Sequence, residues 1–225
     1  MRRLFEGELP QLVMFDLDGT LVDSVPDLTV AIDHMLRGLG RPVAGESKVR
    51  AWVGNGASVL VQRALSDSLE VSPDLDVEQV RDGLALFMTF YGAATAERSV
   101  LYPGVRQCLD QLQQQNVTMA LVTNKPLRFT EIMLEQLQLA EYFSVVLGGD
   151  SVALKKPDPE MLLTCQAHAG VSARHSLMVG DSKNDVLAAR AAGSPVACVS
   201  YGYNHGEPIA QAGPDLVVDS LLALI

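Results

Sequence analysis

Residues 12–20 read Leu12-Val13-Met14-Phe15-Asp16-Leu17-Asp18-Gly19-Thr20, a run of four apolar residues that ends in two aspartates and a glycine. A continuous apolar run is typical of a central strand covered on both faces of a sheet. The side-chain period of two places Asp16 and Asp18 on the same side of the chain. Because two neighbouring carboxylates repel each other, the pattern favours a site that holds a cation. An Asp-rich turn that caps the next helix is the alternative.

The composition describes a globular chain. Its 225 residues and 48% hydrophobic content suffice for one large α/β domain, or for a core domain with a smaller insert. The net charge is −10 and the isoelectric point is about 4.8. No run of Lys or Arg offsets this charge, so we expect no nucleic acid partner. Local cations must then attract any anionic substrate.

Targeting signals and cysteines bear on the compartment. Glu6 and Glu8 interrupt the opening segment before a signal-peptide core develops, and we expect no leader. No run of about 18 apolar residues occurs, so we expect no membrane span and no membrane partner. Cys108, Cys165 and Cys198 are widely spaced and odd in number, which suits ordinary core packing in a reducing compartment. We therefore expect a cytoplasmic protein.

A helical insert is predicted after the first strand. Apolar residues recur there at three- and four-residue spacing, without a convincing strand among them. Asp23 and Ser24 can cap the first helix, Pro26 suits its first turn, and Gly40 can end it. The predicted helices cover residues 26–40, 47–53, 57–69 and 77–91.

From about residue 101 strands and helices alternate, as a parallel sheet with crossover helices requires. Strands are predicted over residues 117–123, 145–147, 177–179, 196–200 and 216–218, and helices over 105–115, 128–139, 160–169 and 184–192. The sequence thus predicts an α/β fold. Residues 1–22 and 101–225 form its core domain, and residues 23–100 form an inserted, all-helical cap domain.

Polar residues follow several predicted strands, and in such a sheet ligands collect beyond the carboxyl ends of the strands. These residues are Asp16 and Asp18, Thr123-Asn124-Lys125, Lys155-Lys156-Pro157, and the run from Gly180 to Asp185. We expect them to share one pocket. Carboxylates that converge from separate strands suit Mg²⁺, which takes oxygen ligands and substrate phosphate. For Asp181, helix capping is an alternative role that can coexist with metal binding.

These residues can transfer a phosphoryl group. A carboxylate that attacks phosphorus splits one difficult displacement into two easier ones, and Asp16 is the predicted nucleophile. Asp18 is the predicted general acid for the leaving oxygen and then the base for water. Thr123 and loop N–H groups would hold the phosphoryl oxygens, and Lys156 would neutralise the transferring group. A solvated loop lysine is the alternative for Lys156, and Lys155 competes for its role.

The same residues resemble the four motifs of the haloacid dehalogenase superfamily in order and spacing: Asp16-Leu17-Asp18-Gly19-Thr20, Thr123, Lys156-Pro157, and Gly180-Asp181-Ser182 with Asp185. The resemblance implies a Mg²⁺-dependent phosphohydrolase with a Rossmann-like parallel sheet and a mobile cap. It implies metal ligation by the side chains of Asp16 and Asp181 and the backbone carbonyl of Asp18, with Asp185 in support. Gly19, Thr20 and Asn124 are the further phosphate-binding candidates.

Finer features resemble the bacterial branch of that superfamily that hydrolyses 2-phosphoglycolate. They are the runs at residues 52–57, 122–126, 148–150 and 201–204, so the likeness covers nearly the whole chain. It implies hydrolysis of 2-phosphoglycolate to glycolate and phosphate. In the insert, Asn55 and Gly56 can present backbone N–H groups to the substrate carboxylate. Lys48, Arg63 and His205 are candidate cationic partners.

Several alternatives stay open. Another small phosphate ester such as a sugar phosphate is one, and a phosphosugar mutase is a second. A dehalogenase fits less well, because Asp18 and Asp181 have no purpose in metal-free chemistry. A non-catalytic binding protein also fits less well, because every group that the reaction needs is present. A helical lid leaves room for a small molecule rather than for a folded protein or duplex. Monomer and homodimer are equally compatible with the sequence.

Overall fold

The computed structural model describes residues 1–225 and contains eight strands and eight α-helices. The strands are β1 (Leu12–Phe15), β2 (Val22–Asp23), β3 (Val100–Leu101), β4 (Thr118–Val122), β5 (Val145–Leu147), β6 (Ser176–Gly180), β7 (Val196–Val199) and β8 (Leu216–Val218). Six of them form one parallel sheet in the order β5-β4-β1-β6-β7-β8. The predicted α/β fold with a parallel sheet is confirmed.

The helices follow the predicted pattern closely. They are α1 (Val25–Gly38), α2 (Glu46–Trp52), α3 (Ala57–Ser66), α4 (Val77–Ala93), α5 (Val105–Gln114), α6 (Leu127–Gln136), α7 (Glu160–Ala169) and α8 (Lys183–Ala192). The largest differences are at the ends of α3 and α6, each of which stops three residues early. Asp67 closes α3 because it adopts the left-handed conformation, with φ of 49°.

Strand β1 lies at the centre of the sheet, paired with β4 on one side and β6 on the other. Its side chains alternate between two buried clusters. Val13 and Phe15 join a cluster of 25 residues that α5 and α6 cover, while Leu12 and Met14 join one of 15 residues that α7 and α8 cover. Both faces of β1 are therefore covered by apolar side chains, which explains its unbroken apolar run.

The four helices α1 to α4 pack around a third cluster of 17 buried residues. Trp52, Phe87 and Tyr91 belong to this cluster, and Phe129 of α6 and Tyr203 join it from the sheet side. These helices form the layer that lies over the carboxyl end of β1, and we refer to them as the cap.

An antiparallel ribbon connects the cap to the sheet. Val22 pairs with Leu101 and Asp23 with Val100. The sequence pattern does not predict this ribbon, because two-residue strands are too short to show a period. The proposed boundaries after residues 22 and 100 fall inside it, and the division into two domains stays a prediction.

The three cysteines are all free and buried, as the predicted core packing requires. Burial raises the pKa of the Cys108 and Cys165 thiols to about 12 each. Neither is therefore a thiolate near neutral pH. The structure contains no helix with the length and apolar character needed to cross a membrane.

Candidate active site

Three buried aspartates meet beyond the carboxyl ends of β1 and β6. Asp16 directly follows β1, and Asp181 directly follows β6, with Asp185 one turn later in α8. One carboxylate oxygen from each lies within 4.8 Å of the others. All three side chains are buried, so their mutual repulsion is not relieved by water.

The two oxygens of Asp16 differ in their contacts. Oδ1 accepts a hydrogen bond from the Leu17 N–H at 2.7 Å and lies 3.0 Å from Lys156 Nζ. Oδ2 accepts no hydrogen bond from the protein. Burial raises the pKa of Asp16 to about 7; Lys156 opposes this rise, and Asp185 adds to it. Asp16 thus has one oxygen held in place and one that is free to react.

Lys156, rather than Lys155, is the lysine that contacts Asp16. Its ammonium also donates to Asp185 Oδ1 at 2.7 Å and to the Val122 carbonyl at 2.8 Å. A lysine has three N–H donors, so these acceptors occupy all of them. Burial opposes its charge, but Asp16 and Asp185 outweigh burial and raise the pKa of Lys156. Lys155 is half-buried and forms no ion pair, and burial lowers its pKa.

Asp181 is held by two groups from other parts of the chain. Its Oδ1 accepts from the Thr20 hydroxyl at 2.8 Å, and its Oδ2 accepts from the Tyr203 N–H at 2.6 Å. Burial, followed by the charges of Asp16 and Asp185, raises the pKa of Asp181 well above its usual range. The predicted phosphate-binding residue Thr20 therefore orients Asp181 and does not line the cavity described below.

Gly19 also serves Asp181 rather than the cavity. Its φ is +90°, and a Cβ at this position would lie 2.3 Å from Asp181 Oδ2. Only glycine permits both this conformation and this close approach.

Asp185 organises the turn that carries Asp181. Its Oδ2 accepts from the backbone N–H groups of Asp181 and Ser182, and from the Ser182 hydroxyl at 2.8 Å. Ser182 is the N-cap residue of α8, so the capping alternative for Asp181 is wrong. With Lys156 on its other oxygen, Asp185 is saturated by protein donors and acts as a support for the site.

Asp18 is paired with Lys125, a residue that the sequence placed in the shared pocket without a predicted partner. Lys125 Nζ lies 3.1 and 3.2 Å from the two carboxylate oxygens of Asp18. The Lys125 side chain is 3% exposed. Its ammonium also lies 4.7 Å from the centre of the Tyr91 ring in the cap. Its position just after β4, in the run Thr123-Asn124-Lys125, was the available signal.

A cavity of about 40 Å³ separates the cap from the sheet. Its polar wall consists of Asp16, Asp18, Thr123, Asn124 and Lys125. The cap supplies most of the apolar wall, which includes Leu28, Val53, Leu60, Phe87 and Tyr91, while Phe129 comes from α6. Asp16, Asp18 and Thr123, three of the predicted catalytic residues, therefore line one small, mostly apolar chamber.

The glycine loop of the cap closes directly onto the sheet. The Gly54 carbonyl accepts hydrogen bonds from Asn124 Nδ2 at 3.1 Å and from Asn184 Nδ2 at 3.2 Å. Asn124 Oδ1 is buried without a partner. Gly56 lines the cavity, but Asn55 does not. Of the two loop residues predicted to bind substrate, the structure brings only Gly56 to the chamber.

The three cationic candidates lie elsewhere, since none of them lines the cavity. Lys48 forms an exposed ion pair with Asp67 at 2.6 Å. Arg63 donates to the carbonyls of Trp52 and Leu69. His205 Nδ1 lies 2.8 Å from the Ala51 carbonyl. Lys48 and Arg63 thus contact other cap residues, and His205 contacts the cap from the loop after β7.

The close packing around Asp181 leads to a prediction at Gly202. A Cβ there would lie 2.1 Å from Asp181 Cβ, so we expect Gly202→Ala to shift the Tyr203 N–H away from Asp181. The overpacking is expected to cost about 1–3 kcal/mol of unfolding free energy and to lower turnover. Urea unfolding and kcat would measure the two effects. Gly38→Ala is the control, because a Cβ there meets only an ordinary contact at 3.5 Å; equal behaviour of the two variants would contradict the prediction.

A parallel α/β sheet brings buried carboxylates and an ammonium together beneath a helical cap, an arrangement that suits a hydrolase for a small substrate. The comparisons with known proteins agree with this class. Residues 13–199 match the haloacid dehalogenase-like hydrolase family. The chain therefore belongs to the haloacid dehalogenase-like hydrolase family, and the predicted superfamily is confirmed.

Particular relatives cover nearly the full chain. It is 55% identical to the phosphoglycolate phosphatase of Pseudomonas savastanoi pv. phaseolicola, over 99% of this chain and 81% of that protein. It is 51% identical to the phosphoglycolate phosphatase of Vibrio parahaemolyticus, over 96% and 94%. The crystal structure of a predicted phosphoglycolate phosphatase from Haemophilus somnus superposes with a TM-score of 0.88 at 37% identity, over 95% and 96% of the two chains.

Proposed function

We propose that this protein is a Mg²⁺-dependent phosphatase that hydrolyses 2-phosphoglycolate to glycolate and phosphate. The observation that carries the proposal is the chamber itself, in which Asp16, with its free Oδ2, and Asp18 face the same small space. The names of relatives that are about half identical in sequence support the choice of substrate.

The reaction proceeds in two steps. Asp18 must bind a proton when the substrate binds. Asp16 Oδ2 then attacks phosphorus, the bond from phosphorus to the ester oxygen breaks, and Asp18 gives that proton to the oxygen as glycolate leaves. Asp18 then takes a proton from water, which attacks phosphorus and releases phosphate from Asp16. Lys156 holds Asp16 Oδ1 throughout, so the nucleophile keeps its orientation. Thr123 and the N–H groups of its loop hold the phosphoryl oxygens.

The carboxylate cluster fits a magnesium ion. Asp16, Asp181 and Asp185 bring three buried acids together, and Lys156 contacts only the first and the last of them. All the available ligands are oxygen atoms. The residues that would hold the ion are Asp16 and Asp181 through their side chains and Asp18 through its carbonyl. When bound, Mg²⁺ supplies positive charge that the substrate phosphate needs.

The magnesium assignment predicts a pH-dependent stabilisation. The pKa of Asp16 is raised to about 7 and that of Asp181 is raised as well, so both carboxyls hold protons more tightly when folded. Their ionisation therefore destabilises the metal-free fold as the pH rises from about 4 to about 7, and a bound cation offsets this. We expect Mg²⁺ to raise the Tm at about pH 8 and to have a smaller effect at about pH 5.

Differential scanning fluorimetry with and without chelator measures this shift. Asp181→Asn is the variant that should lose the response, while Asp82→Asn, on the exposed face of α4, should keep it. An equal Mg²⁺ shift in Asp181→Asn and in the unmodified protein would exclude the assignment.

A substrate panel tests the proposed function. Phosphate release would be measured with and without Mg²⁺ from 2-phosphoglycolate, several sugar phosphates, phosphoserine and a nucleoside monophosphate. We expect the highest kcat/KM for 2-phosphoglycolate. A higher value for another ester would overturn the substrate, and conversion of a sugar phosphate to its isomer without phosphate release would establish a mutase.

The setting of the reaction belongs to the same proposal. Three buried free cysteines suit a reducing compartment, and we place the protein in the cytoplasm. The net charge of −10 favours a small-molecule partner over nucleic acid. The protein acts as a monomer or a homodimer.

A further inference from the structure

Lys125 is the one cationic side chain that lines the chamber. It is buried, and only Asp18 balances its charge by direct contact. A lysine has three N–H donors, and Asp18 is the one carboxylate that accepts from this ammonium. The Tyr91 ring lies 4.7 Å from the ammonium, and a ring is a neighbour without a formal negative charge. The chamber therefore contains an ammonium with unused capacity to bind an anion.

The other lysine at the site has no such capacity. All three donors of Lys156 are directed at protein acceptors. The cap arginine Arg50 is also engaged, because it pairs with Asp23 at 3.2 Å and with Glu46 at 2.7 Å. Charge recognition within the chamber thus depends on Lys125.

The place of Lys125 indicates which part of a substrate it meets. Asp16 must approach phosphorus, and Asp18 must reach the ester oxygen that leaves. Lys125 contacts Asp18 and has no contact with Asp16, so it lies on the leaving-group side of the chamber. In 2-phosphoglycolate a single carbon separates the ester oxygen from a carboxylate. We propose that Lys125 binds this carboxylate and selects phosphate esters with a negative group beside the ester oxygen.

The Tyr91 ring adds a link to the cap. It belongs to α4 and lies against the ammonium, so the closed cap orients Lys125. Apolar residues form most of the wall that the cap contributes, where an unpaired carboxylate would be costly. Lys125 thereby turns a chamber that tolerates any small group into one that prefers an anionic group.

The inference rests on the proposed function. A comparison of two substrates distinguishes failure of the inference from failure of the proposed function. Ethyl phosphate has the same chain of phosphorus, oxygen and two carbons as 2-phosphoglycolate, but it ends in a methyl group instead of a carboxylate. We expect Lys125→Gln to lower the ratio of kcat/KM for 2-phosphoglycolate to that for ethyl phosphate by about 30-fold or more. Lys155→Gln, beside the site but outside the chamber, is the matched control and should keep the ratio.

The outcomes are distinct. If the unmodified enzyme does not prefer 2-phosphoglycolate, the proposed function fails, and the inference fails with it. If it does prefer 2-phosphoglycolate, but Lys125→Gln lowers both kcat/KM values by the same factor, only the inference is overturned. Lys125 would then be a positioning residue for Asp18.

Lys125→Gln leaves the buried Asp18 without a cation, which can unfold the protein. A binding measurement on a double variant then replaces the kinetic test. The double variant Asp18→Asn with Lys125→Gln removes both charges of the buried pair. Calorimetry would compare it with Asp18→Asn alone, using phosphonoacetate and ethylphosphonate as ligands. We expect the single variant to prefer phosphonoacetate and the double variant to lose that preference. Equal preference in both proteins would overturn the inference.

Discussion

Asp16→Asn is expected to lower the kcat for phosphate release by about 10⁴-fold or more, because an amide cannot serve as the nucleophile. The substitution keeps the shape of the side chain and its Oδ1, which accepts from the Leu17 N–H and lies beside Lys156. The change is therefore confined to Oδ2, the atom that would bond to phosphorus. Steady-state phosphate release measures the loss. Mass spectrometry after acid quench would detect the phosphorylated enzyme, which we expect in Asp18→Asn and not in Asp16→Asn.

The same substitution should not weaken the fold. Burial raises the pKa of Asp16 to about 7, so in the metal-free protein its ionised form costs stability above that pH. An asparagine carries no charge, and the Tm of Asp16→Asn without metal at about pH 8 should equal or exceed that of the unmodified protein. Asp82→Asn, on the cap surface, controls for loss of a carboxylate far from the site. Near-normal turnover by Asp16→Asn would rule out the covalent mechanism.

Local patterns explain why most of the fold was predictable. The apolar run at β1 is unbroken because both of its faces are buried, and α7, β5 and β8 have the predicted bounds. Gly193 ends α8 in the left-handed conformation, as a helix-stop glycine does. The β2–β3 ribbon was missed because its pairing joins residues about 80 positions apart over two residues each, which no local period records.

Most residues of the candidate site were also predictable from the sequence. Asp16 and Asp181 directly follow strands, Lys156 lies in the loop after β5, and parallel topology brings these segments together. The contacts between those residues required the structure. Asp18 and Lys125 are 107 positions apart, and Tyr203 approaches Asp181 from a loop beyond β7. Sequence analysis identified the residue types, while packing determined which cation meets which carboxylate.

The cap shows this limit most clearly. Lys48 and Arg63 were reasonable substrate partners by charge alone, but Lys48 is at the surface and Arg63 caps carbonyls within the cap. The residues that α1, α3 and α4 present to the chamber are apolar or aromatic, since the cap cluster continues into the chamber wall. The chamber therefore takes its charged groups from the sheet, and the cap contributes shape, exclusion of water and the ring of Tyr91.

Lys156→Met is expected to have the largest effect on stability. The lysine side chain is 1% exposed and contacts both Asp16 and Asp185, so its removal leaves buried carboxylates without a cation. Breaking a buried pair in this way costs about 3–5 kcal/mol of unfolding free energy. Turnover should fall as well, because Asp16 loses the group that orients it. Urea unfolding of the metal-free protein and kcat measure the two losses.

Two comparisons make this test specific to charge. Lys155→Met removes the neighbouring lysine, which has no carboxylate partner, and should cost about 1 kcal/mol or less. The loss in Lys156→Met should shrink from about pH 8 to about pH 5, because Asp16, whose pKa burial already raises to about 7, takes up a proton in that range when folded. The folded state then binds more protons than the unfolded state, and stability rises as the pH falls through this window. A loss independent of pH would mean that the methylene packing of Lys156, rather than its ammonium, stabilises the site.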